Sequence, residues 1–211
     1  MNIRHHLSDP LLMSYAAGTL PEAFGLVVAT HVSLCDECRA RMAGFDTVGG
    51  AVVESLDAVP LSAGCLEAVM ARLGDQEARP AVPARRAVPA PLAEYIGGDF
   101  AGVKWRALGL GVRQAILPTG KGATARLLYI PAGQAVPDHG HRGMELTLVL
   151  QGAFSDASDR FGPGDLEIAT EAMEHTPVAE AGMDCICLAA TDAPLRFTGL
   201  VPRILQPLFQ I

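Results

Sequence analysis

The sequence predicts a two-domain α+β protein, with an N-terminal helical bundle followed by a C-terminal antiparallel β-barrel or sandwich. In residues 1–75, apolar residues recur at helical spacing. In residues 94–211, short apolar runs alternate with glycine and proline turns, as in barrels and sandwiches. Between them, residues 76–93 contain four prolines and no aromatic residue, which predicts an extended, semi-rigid linker rather than a helix. We therefore expect the two domains to communicate through a partner or a modest interface and not through a shared core.

Four helices are predicted in the N-terminal domain because each has a recognisable start or stop signal. The signals are Asp9-Pro10 and Gly18 around the first helix, a Thr19–Glu22 capping box before the second, Cys35–Cys38 at the start of the third, and Ser62 as the cap of the fourth. The fourth helix also carries an apolar stripe at helical spacing, which consists of Leu66, Val69, Met70 and Leu73.

The C-terminal domain contains three apolar runs with the length of buried strands, at residues 126–130, 146–150 and 184–190. Glycine- and proline-containing turns separate these runs, for example at residues 131–133 and 162–164. Short strands joined by regular turns predict antiparallel pairing in this domain.

The charge distribution argues against direct binding to nucleic acid. The formal net charge is −7, and residues 1–75 carry four arginines against nine acidic residues, with no lysine. A nucleic-acid-binding domain needs a basic face, which this domain lacks. An acidic domain fits a basic protein partner, and mild acidity also has the simpler role of aiding solubility.

Several features predict a cytoplasmic protein. No run of about 18 apolar residues is present, so no membrane span is expected. The first ten residues lack the apolar region of a secretory signal. Five cysteines, an odd number, argue against a disulfide framework and favour reduced thiols.

All six histidines fall into two clusters with metal-ligand spacing, and the first cluster lies in the helical domain. His31, Cys35 and Cys38 form an H-x3-C-x2-C pattern, in which the first two share a helical face and the two thiols lie close together. His5 or His6 would complete the two-sulfur, two-nitrogen tetrahedron of a structural zinc site. The alternatives are a redox-active C-x2-C, for which the βαβ context is missing, and a packed pair of buried cysteines.

The second cluster lies in the C-terminal domain and comprises His139, His141, Glu145 and His175. The first three share parity, so on one extended strand they would project together into the barrel interior. Three imidazoles and a carboxylate suit zinc, iron, manganese or nickel. The alternative is a metal-free set of hydrogen-bonded polar groups, although burying these side chains without a ligand would be costly.

Three further cysteines allow two interpretations. Cys185 and Cys187 lie on the same side of a predicted strand, and a disulfide between positions two apart is geometrically poor. Packing in the core is the simpler interpretation, and oxidation-sensitive thiols near the second metal site are the alternative. For Cys65, on the fourth predicted helix, we expect packing.

Two segments resemble motifs of known families. The spacing Asp9…Leu12…Tyr15…Gly18-x-Leu20, followed by His31-x3-Cys35-x2-Cys38, resembles that of the zinc-containing anti-sigma factors. The segment Gly133-x5-His139-x-His141-x3-Glu145-x6-Gly152 matches the first cupin motif at every fixed position. The whole chain is therefore similar to the ChrR-type anti-sigma factors, which combine a zinc-binding helical domain with a C-terminal cupin.

The resemblance implies one Zn²⁺ in each domain. The implied ligands are His6, His31, Cys35 and Cys38 in the first site, and His139, His141, Glu145 and His175 in the second. His175 would come from the second cupin motif, which the chain keeps only in part at Gly164-Asp165, and it lies later than the usual spacing.

The resemblance further implies a regulator and not an enzyme. The helical domain would sequester an ECF-type sigma factor, and the cupin would release it on a reactive-oxygen signal such as singlet oxygen or an organic hydroperoxide. The alternative from another functional class is a cupin metalloenzyme, a dioxygenase or isomerase, with a zinc-binding helical appendage. No membrane partner is expected, and a homodimer of the free protein is left open.

Overall fold

The computed structural model describes residues 2–73, 88–197 and 199, and its N-terminal part is helical. The α-helices there and before the sheet are α1 (Asp9–Ala16), α2 (Glu22–Leu34), α3 (Asp36–Glu54), α4 (Cys65–Arg72) and α5 (Ala90–Ile96), with a 3₁₀ turn at Phe100–Gly102. All four predicted helices are therefore present. Among the described helices, none is both long enough and apolar enough to cross a bilayer.

Two of the predicted helix caps are wrong. The N-cap of α2 is Pro21, and the Thr19 hydroxyl donates instead to the Ser14 carbonyl over 3.1 Å. The Glu22 carboxylate accepts from the Tyr95 hydroxyl and from the Gly120 amide, so it fastens the start of α2 to later parts of the chain. A similar shift occurs at α4, where the N-cap is a glycine with φ of +80° and not the predicted serine.

The predicted linker is partly helical. Residues 76–87 of that prediction lie outside the described residues. Its last residues form the first turn of α5, where Pro91 occupies an early position that needs no N–H donor. Val88, Leu92 and Ala93 are buried, and α5 packs against α2. The expectation of an extended spacer is wrong here because these apolar side chains pack into the core.

The C-terminal part is built from short antiparallel strands. They are β1 (Arg106–Gly109), β2 (Val112–Ile116), β3 (Thr124–Ile130), β4 (His139–Gly140), β5 (Glu145–Gln151), β6 (Phe154–Ser155), β7 (Arg160–Phe161), β8 (Leu166–Ala169), β9 (Glu174–His175), β10 (Val178–Ala179), β11 (Cys185–Thr191) and β12 (Arg196–Phe197). The largest sheet has the order β1-β2-β3-β11-β5-β8, and the two smaller sheets have the orders β10-β6-β7 and β12-β4-β9. The three predicted apolar runs correspond to β3, β5 and β11, which are neighbours in the large sheet.

The large sheet has two faces with different roles, because successive side chains of a strand alternate. One face packs against α2 and joins a core with the helices; it includes Ala115, Ala125, Leu127, Leu146, Leu148, Leu188 and Ala190. The other face lines an internal cavity with Arg126, Leu128, Glu145, Thr147, Glu167, Cys187 and Ala189. The helical and β parts therefore share a core, and the expectation of a modest interface is wrong.

This shared core predicts that the two parts unfold together. Leu127, fully buried on the helix-facing side of β3, should cost about 2–5 kcal/mol of unfolding free energy when changed to alanine, because a cavity is left behind. Urea unfolding of Leu127→Ala should shift the far-ultraviolet circular dichroism of the helices and the fluorescence of the single tryptophan, Trp105, to the same lower midpoint.

Leu110→Ala, at a position that is 75% exposed, is the matched control and should leave both midpoints nearly unchanged. Two separate transitions in the parent protein, of which only one responds to Leu127→Ala, would contradict a shared core.

Candidate metal centres

The first cluster forms where α2 meets α3. His31 projects from the last turn of α2, Cys35 is the N-cap of α3 and Cys38 lies in the first turn of α3. The N-terminal arm adds His6, and the four ligand atoms all lie within 4.8 Å of one another. His6 Nδ1 is 3.3 Å from Cys35 Sγ, and His31 Nε2 is 3.2 Å from Cys38 Sγ. The structure thus brings together His6, His31, Cys35 and Cys38, and of the two histidines of the arm His6 is the one that joins the cluster.

The local backbone explains how the two sulfurs come together. Cys35 has extended dihedral angles between the two helices, and its sulfur accepts a hydrogen bond from the Cys38 amide over 3.4 Å. This capping turn places both thiols at the N-terminus of α3, where the helix dipole favours negative charge. Two sulfurs and two nitrogens that lie within 4.8 Å of one another suit a structural tetrahedral metal.

Burial shapes the charges of this cluster in the metal-free chain. It lowers the pKa of His31 to about 4, so the imidazole is neutral at pH 7 and able to bind a metal. It also raises the pKa of the Cys38 thiol to about 11, so a metal must displace a proton there. Outside the cluster, Glu37 Oε2 lies 3.3 Å from His6 Nε2 and can orient that ring, a contact that the sequence did not reveal.

His5, the other candidate of the arm, points away from the cluster and onto the C-terminal β-strands. Its amide and that of Arg4 donate to Asp165 Oδ1 over 3.0 and 2.6 Å, and the Leu166 amide donates to the His5 carbonyl. The His5 ring packs 4.4 Å from Phe161 and lies 3.1 Å from Asp159 Oδ2. We call residues 4–6 with these contacts the arm latch, because it ties the first cluster to the β7–β8 region.

The second cluster is assembled from paired strands. His139 on β4 and His175 on β9 are direct partners in the antiparallel ladder, and His141 follows β4. One nitrogen of each ring lies within 4.8 Å of the others, and the Nε2 atoms of His141 and His175 are 3.3 Å apart. All three rings are at least 95% buried, a costly arrangement for imidazoles without a cation. The set therefore fits a transition metal.

Glu145 lies next to this group and not on the same strand as His139 and His141. The chain leaves β4 at Gly140 and enters β5 at Glu145 in a different sheet, so the prediction of one continuous strand is wrong. Its Oε2 is 3.6 Å from His141 Nδ1, and its Oε1 accepts from the Thr147 hydroxyl over 2.9 Å. The structure thus brings the ligand atoms of the three implied histidines together, whereas the Glu145 carboxylate lies against the Nδ1 of His141 and is not among the atoms that meet.

Two carboxylates behind His175 were missed by the sequence reasoning. Asp156 and Glu167 lie 2.8 and 3.2 Å from its Nδ1. Burial opposes protonation of His175, but these two neighbours outweigh it and raise its pKa to about 9. Such carboxylates orient a ligating imidazole and increase its basicity. The one available signal was an acidic residue, Glu167, between the apolar residues of a buried strand.

Of the remaining three cysteines, two are core residues and the third lies on a helix without buried residues. Cys185 and Cys187 are buried on β11 with their sulfurs 3.5 Å apart, and Cys187 lines the cavity beside the second cluster. The hydrogen bond between the two thiols, together with burial, raises the pKa of Cys187 well above its ordinary value. Cys187 is therefore held as a thiol, the less reactive form. Cys65 is half-buried at the start of α4.

The arm latch yields a stability prediction. Burial works against ionisation of Asp165, but the three amides of Arg4, Gly162 and His5 outweigh it and lower its pKa. Asp165→Asn should therefore lose about 1–3 kcal/mol of unfolding free energy at pH 7. A lowered pKa of Asp165 stabilises the folded state at pH values above the unfolded-state pKa of about 3.9, and this stabilisation is lost as the pH falls through the folded-state pKa. The stabilities of the variant and its parent should therefore converge in acid.

Urea unfolding between pH 3 and pH 7 measures this difference. Asp57→Asn, which changes an exposed carboxylate away from the arm latch, is the matched control and should behave like the parent. If Asp165→Asn has the same free energy of unfolding as the parent at pH 7, this carboxylate does not hold the arm.

Comparison with known proteins identifies the chain. Residues 94–193 match the family model of the ChrR cupin-like domain. The anti-sigma-E factor ChrR of Cereibacter sphaeroides is 67% identical over 214 residues, which cover all of both chains. In the crystal structure of Rhodobacter sphaeroides SigE in complex with the anti-sigma ChrR, a chain with 65% identity superposes with a TM-score of 0.81; the match covers 90% of this chain and all of that one. The chain described here therefore belongs to the ChrR family of anti-sigma factors.

Proposed function

We propose that this chain is a cytoplasmic anti-sigma factor that sequesters an ECF-type sigma factor and releases it on a reactive-oxygen signal, singlet oxygen or an organic hydroperoxide. The observation that carries the proposal is the 65% identity, over 90% of the chain, to an anti-sigma factor solved in complex with its sigma factor. At this similarity over both parts of the chain, we infer the same class of partner. The role is regulatory and not enzymatic.

An exposed apolar surface on α3 and α4 supports a partner of this kind. Most large apolar side chains that are exposed in the described residues fall between positions 48 and 73; they are Val48, Val52, Val53, Leu56, Val59, Leu61, Leu66, Val69, Met70 and Leu73. The predicted stripe of α4 is among them, and all four of its residues are more than half exposed. Soluble monomers rarely expose apolar patches of this extent unless a partner covers them. We assign this surface to the sigma factor.

We propose Zn²⁺ at both metal centres. The first cluster has the two thiols and two imidazoles that zinc prefers in structural sites, and three of the four residues are buried. The second offers three imidazoles with a neighbouring carboxylate beside an internal cavity, so it keeps room for exchange. In this division of labour, the helices of residues 1–75 hold the sigma factor and the cupin of residues 94–211 senses the signal.

Two physical connections support communication between the parts. α2, which carries His31, packs on the face of the large sheet opposite the cavity. The arm latch joins His6 of the first cluster to the region that contains Asp165. Release of a partner requires two states that the signal stabilises differently, and these contacts are where such states would differ.

The open cavity beside the second cluster also favours a second candidate, a cupin metalloenzyme of the dioxygenase or isomerase class. Co-purification with a sigma factor favours the regulator, and turnover of a small substrate by the zinc-free or zinc-loaded protein favours the enzyme. The similarity over the full length to an anti-sigma factor supports the first of these functions.

The exposed surface predicts a variant that folds but no longer binds. Val69→Asp introduces a charge on α4 at a side chain that is 53% exposed in the free chain. Burying that charge in an apolar interface should weaken sigma-factor binding by roughly thirtyfold or more, as at interface hot spots. Calorimetric titration of the purified variant with the cognate sigma factor measures the change.

Met183→Asp, at an exposed apolar residue of the cupin, is the control and should bind normally. Equal affinities for both variants would show that α4 does not contact the sigma factor.

The second metal centre should be needed for release and not for inhibition. His141→Ala removes one imidazole of the buried group, so the zinc content should fall from two ions per chain to one. The first cluster lies on other elements, so this variant should still inhibit sigma-dependent transcription but no longer respond to singlet oxygen. Metal analysis and transcription with and without singlet oxygen measure both effects.

Cys38→Ala is the reciprocal variant and should lose the other zinc together with inhibition. Normal induction in His141→Ala would contradict a sensing role for the second centre. Loss of inhibition without a signal would contradict the separation of the two roles.

A further inference from the structure

An apolar cavity of about 390 Å³ lies between the large sheet and the second metal centre. Its walls are formed mainly by aliphatic and aromatic side chains, among them Leu108, Leu128, Val136 and Phe154. Apolar cavities of this size that contain a few converging polar groups are the usual form of small-molecule sites. The volume corresponds to about thirteen water molecules at ~30 Å³ each, enough for an aliphatic chain of roughly eight carbons.

Arg126 is the feature that gives this cavity a chemical preference. It lies on the cavity face of β3, and only 5% of its surface is exposed. Its Nη1 donates to Gln114 Oε1 over 3.1 Å, but its buried Nε–H has no hydrogen-bond partner. An unpaired donor on a buried guanidinium is costly, and a ligand with an acceptor would satisfy it.

The carboxylates of the cavity do not supply this acceptor. Glu145 is engaged with Thr147 and His141, and Glu167 faces His175. Within the described parts of the chain, no carboxylate oxygen forms an ion pair with Arg126. Burial lowers the pKa of Arg126, and the nearby Glu145 carboxylate opposes this, so a buried guanidinium with free hydrogen-bonding capacity remains.

We propose that this cavity binds a medium-chain aliphatic carboxylate, with the carboxylate on Arg126 and the chain along the apolar walls. A guanidinium pairs with a carboxylate through two parallel hydrogen bonds, which is the geometry that an arginine with an unpaired Nε–H can offer. A neutral alcohol of the same length would fill the walls but leave the charge unmatched. The inference concerns ligand binding alone and does not depend on the sigma factor or on a reactive-oxygen signal.

Isothermal titration calorimetry of the full-length protein with sodium octanoate tests the proposal. We expect saturable binding of octanoate with one site per chain and at least tenfold weaker binding of 1-octanol. Arg126→Gln should weaken octanoate binding by about tenfold or more, since a charge-assisted hydrogen bond is lost. Arg113→Gln, which removes an exposed arginine from the neighbouring strand β2, is the matched control and should bind like the parent.

A second variant keeps the test decisive if Arg126→Gln does not fold. Leu128→Trp adds volume inside the cavity and should abolish octanoate binding although Arg126, the proposed partner of the carboxylate, is unchanged. Absence of octanoate binding to the parent, or equal affinities for octanoate and 1-octanol, would overturn the proposal. Unchanged binding in folded Arg126→Gln that disappears when the metal is removed by a chelator would place the carboxylate on the metal and overturn the assignment to Arg126.

Discussion

The alternation of side chains along three adjacent strands is the constraint on which the rest of the structure depends. On β3, Ala125 and Leu127 face the helices, whereas Arg126 and Leu128 face the cavity. The same alternation occurs on β5 and β11, so one face of the sheet packs in the helical core and the other face lines the cavity. A slip of one residue in this register would place Arg126 against α2 and expose its apolar neighbours to the metal centre. Register therefore controls both functions of the sheet together.

The two candidate metal clusters lie on opposite sides of that sheet, and the N-terminal arm connects them. His6 turns toward the thiols of the first cluster, and its neighbour His5 turns toward Asp165 on the cupin. Because the two residues are adjacent, the position of one limits the position of the other. The first cluster and the contact with Asp165 thus depend on the same short segment. A displacement of His6 would shift His5 relative to Asp165, and a displacement of His5 would shift His6 relative to the thiols.

Local spacing decided what the sequence could reveal. The pattern of His31, Cys35 and Cys38 lies at the junction of two consecutive helices, where the spacing along the chain determines the distances between side chains. The three residues meet as the spacing predicted. The parity argument for Glu145 failed because the chain changes sheets between β4 and β5. Asp156, Glu167 and Arg126 act through pairings between distant strands, which no local pattern encodes. The shared core was missed because the proline-rich composition of residues 76–93 hid the buried face of α5.

The close packing of this sheet also limits how a signal in the cavity can reach the helices. Cys187 and Ala189 line the cavity, and Leu188 between them packs in the helical core, so all three share one short length of backbone. Protein interiors are as dense as organic crystals, and a displacement on one face is therefore not absorbed within the strand. A ligand or modification in the cavity that shifts β11 must either be resisted by the α2 contact or move α2 with it. Since His31 lies in the last turn of α2, a movement of α2 would alter the first cluster, from which α3 begins. The fold thus provides a continuous packed path from the cavity through β11 to α2, along which the proposed signal would have to pass.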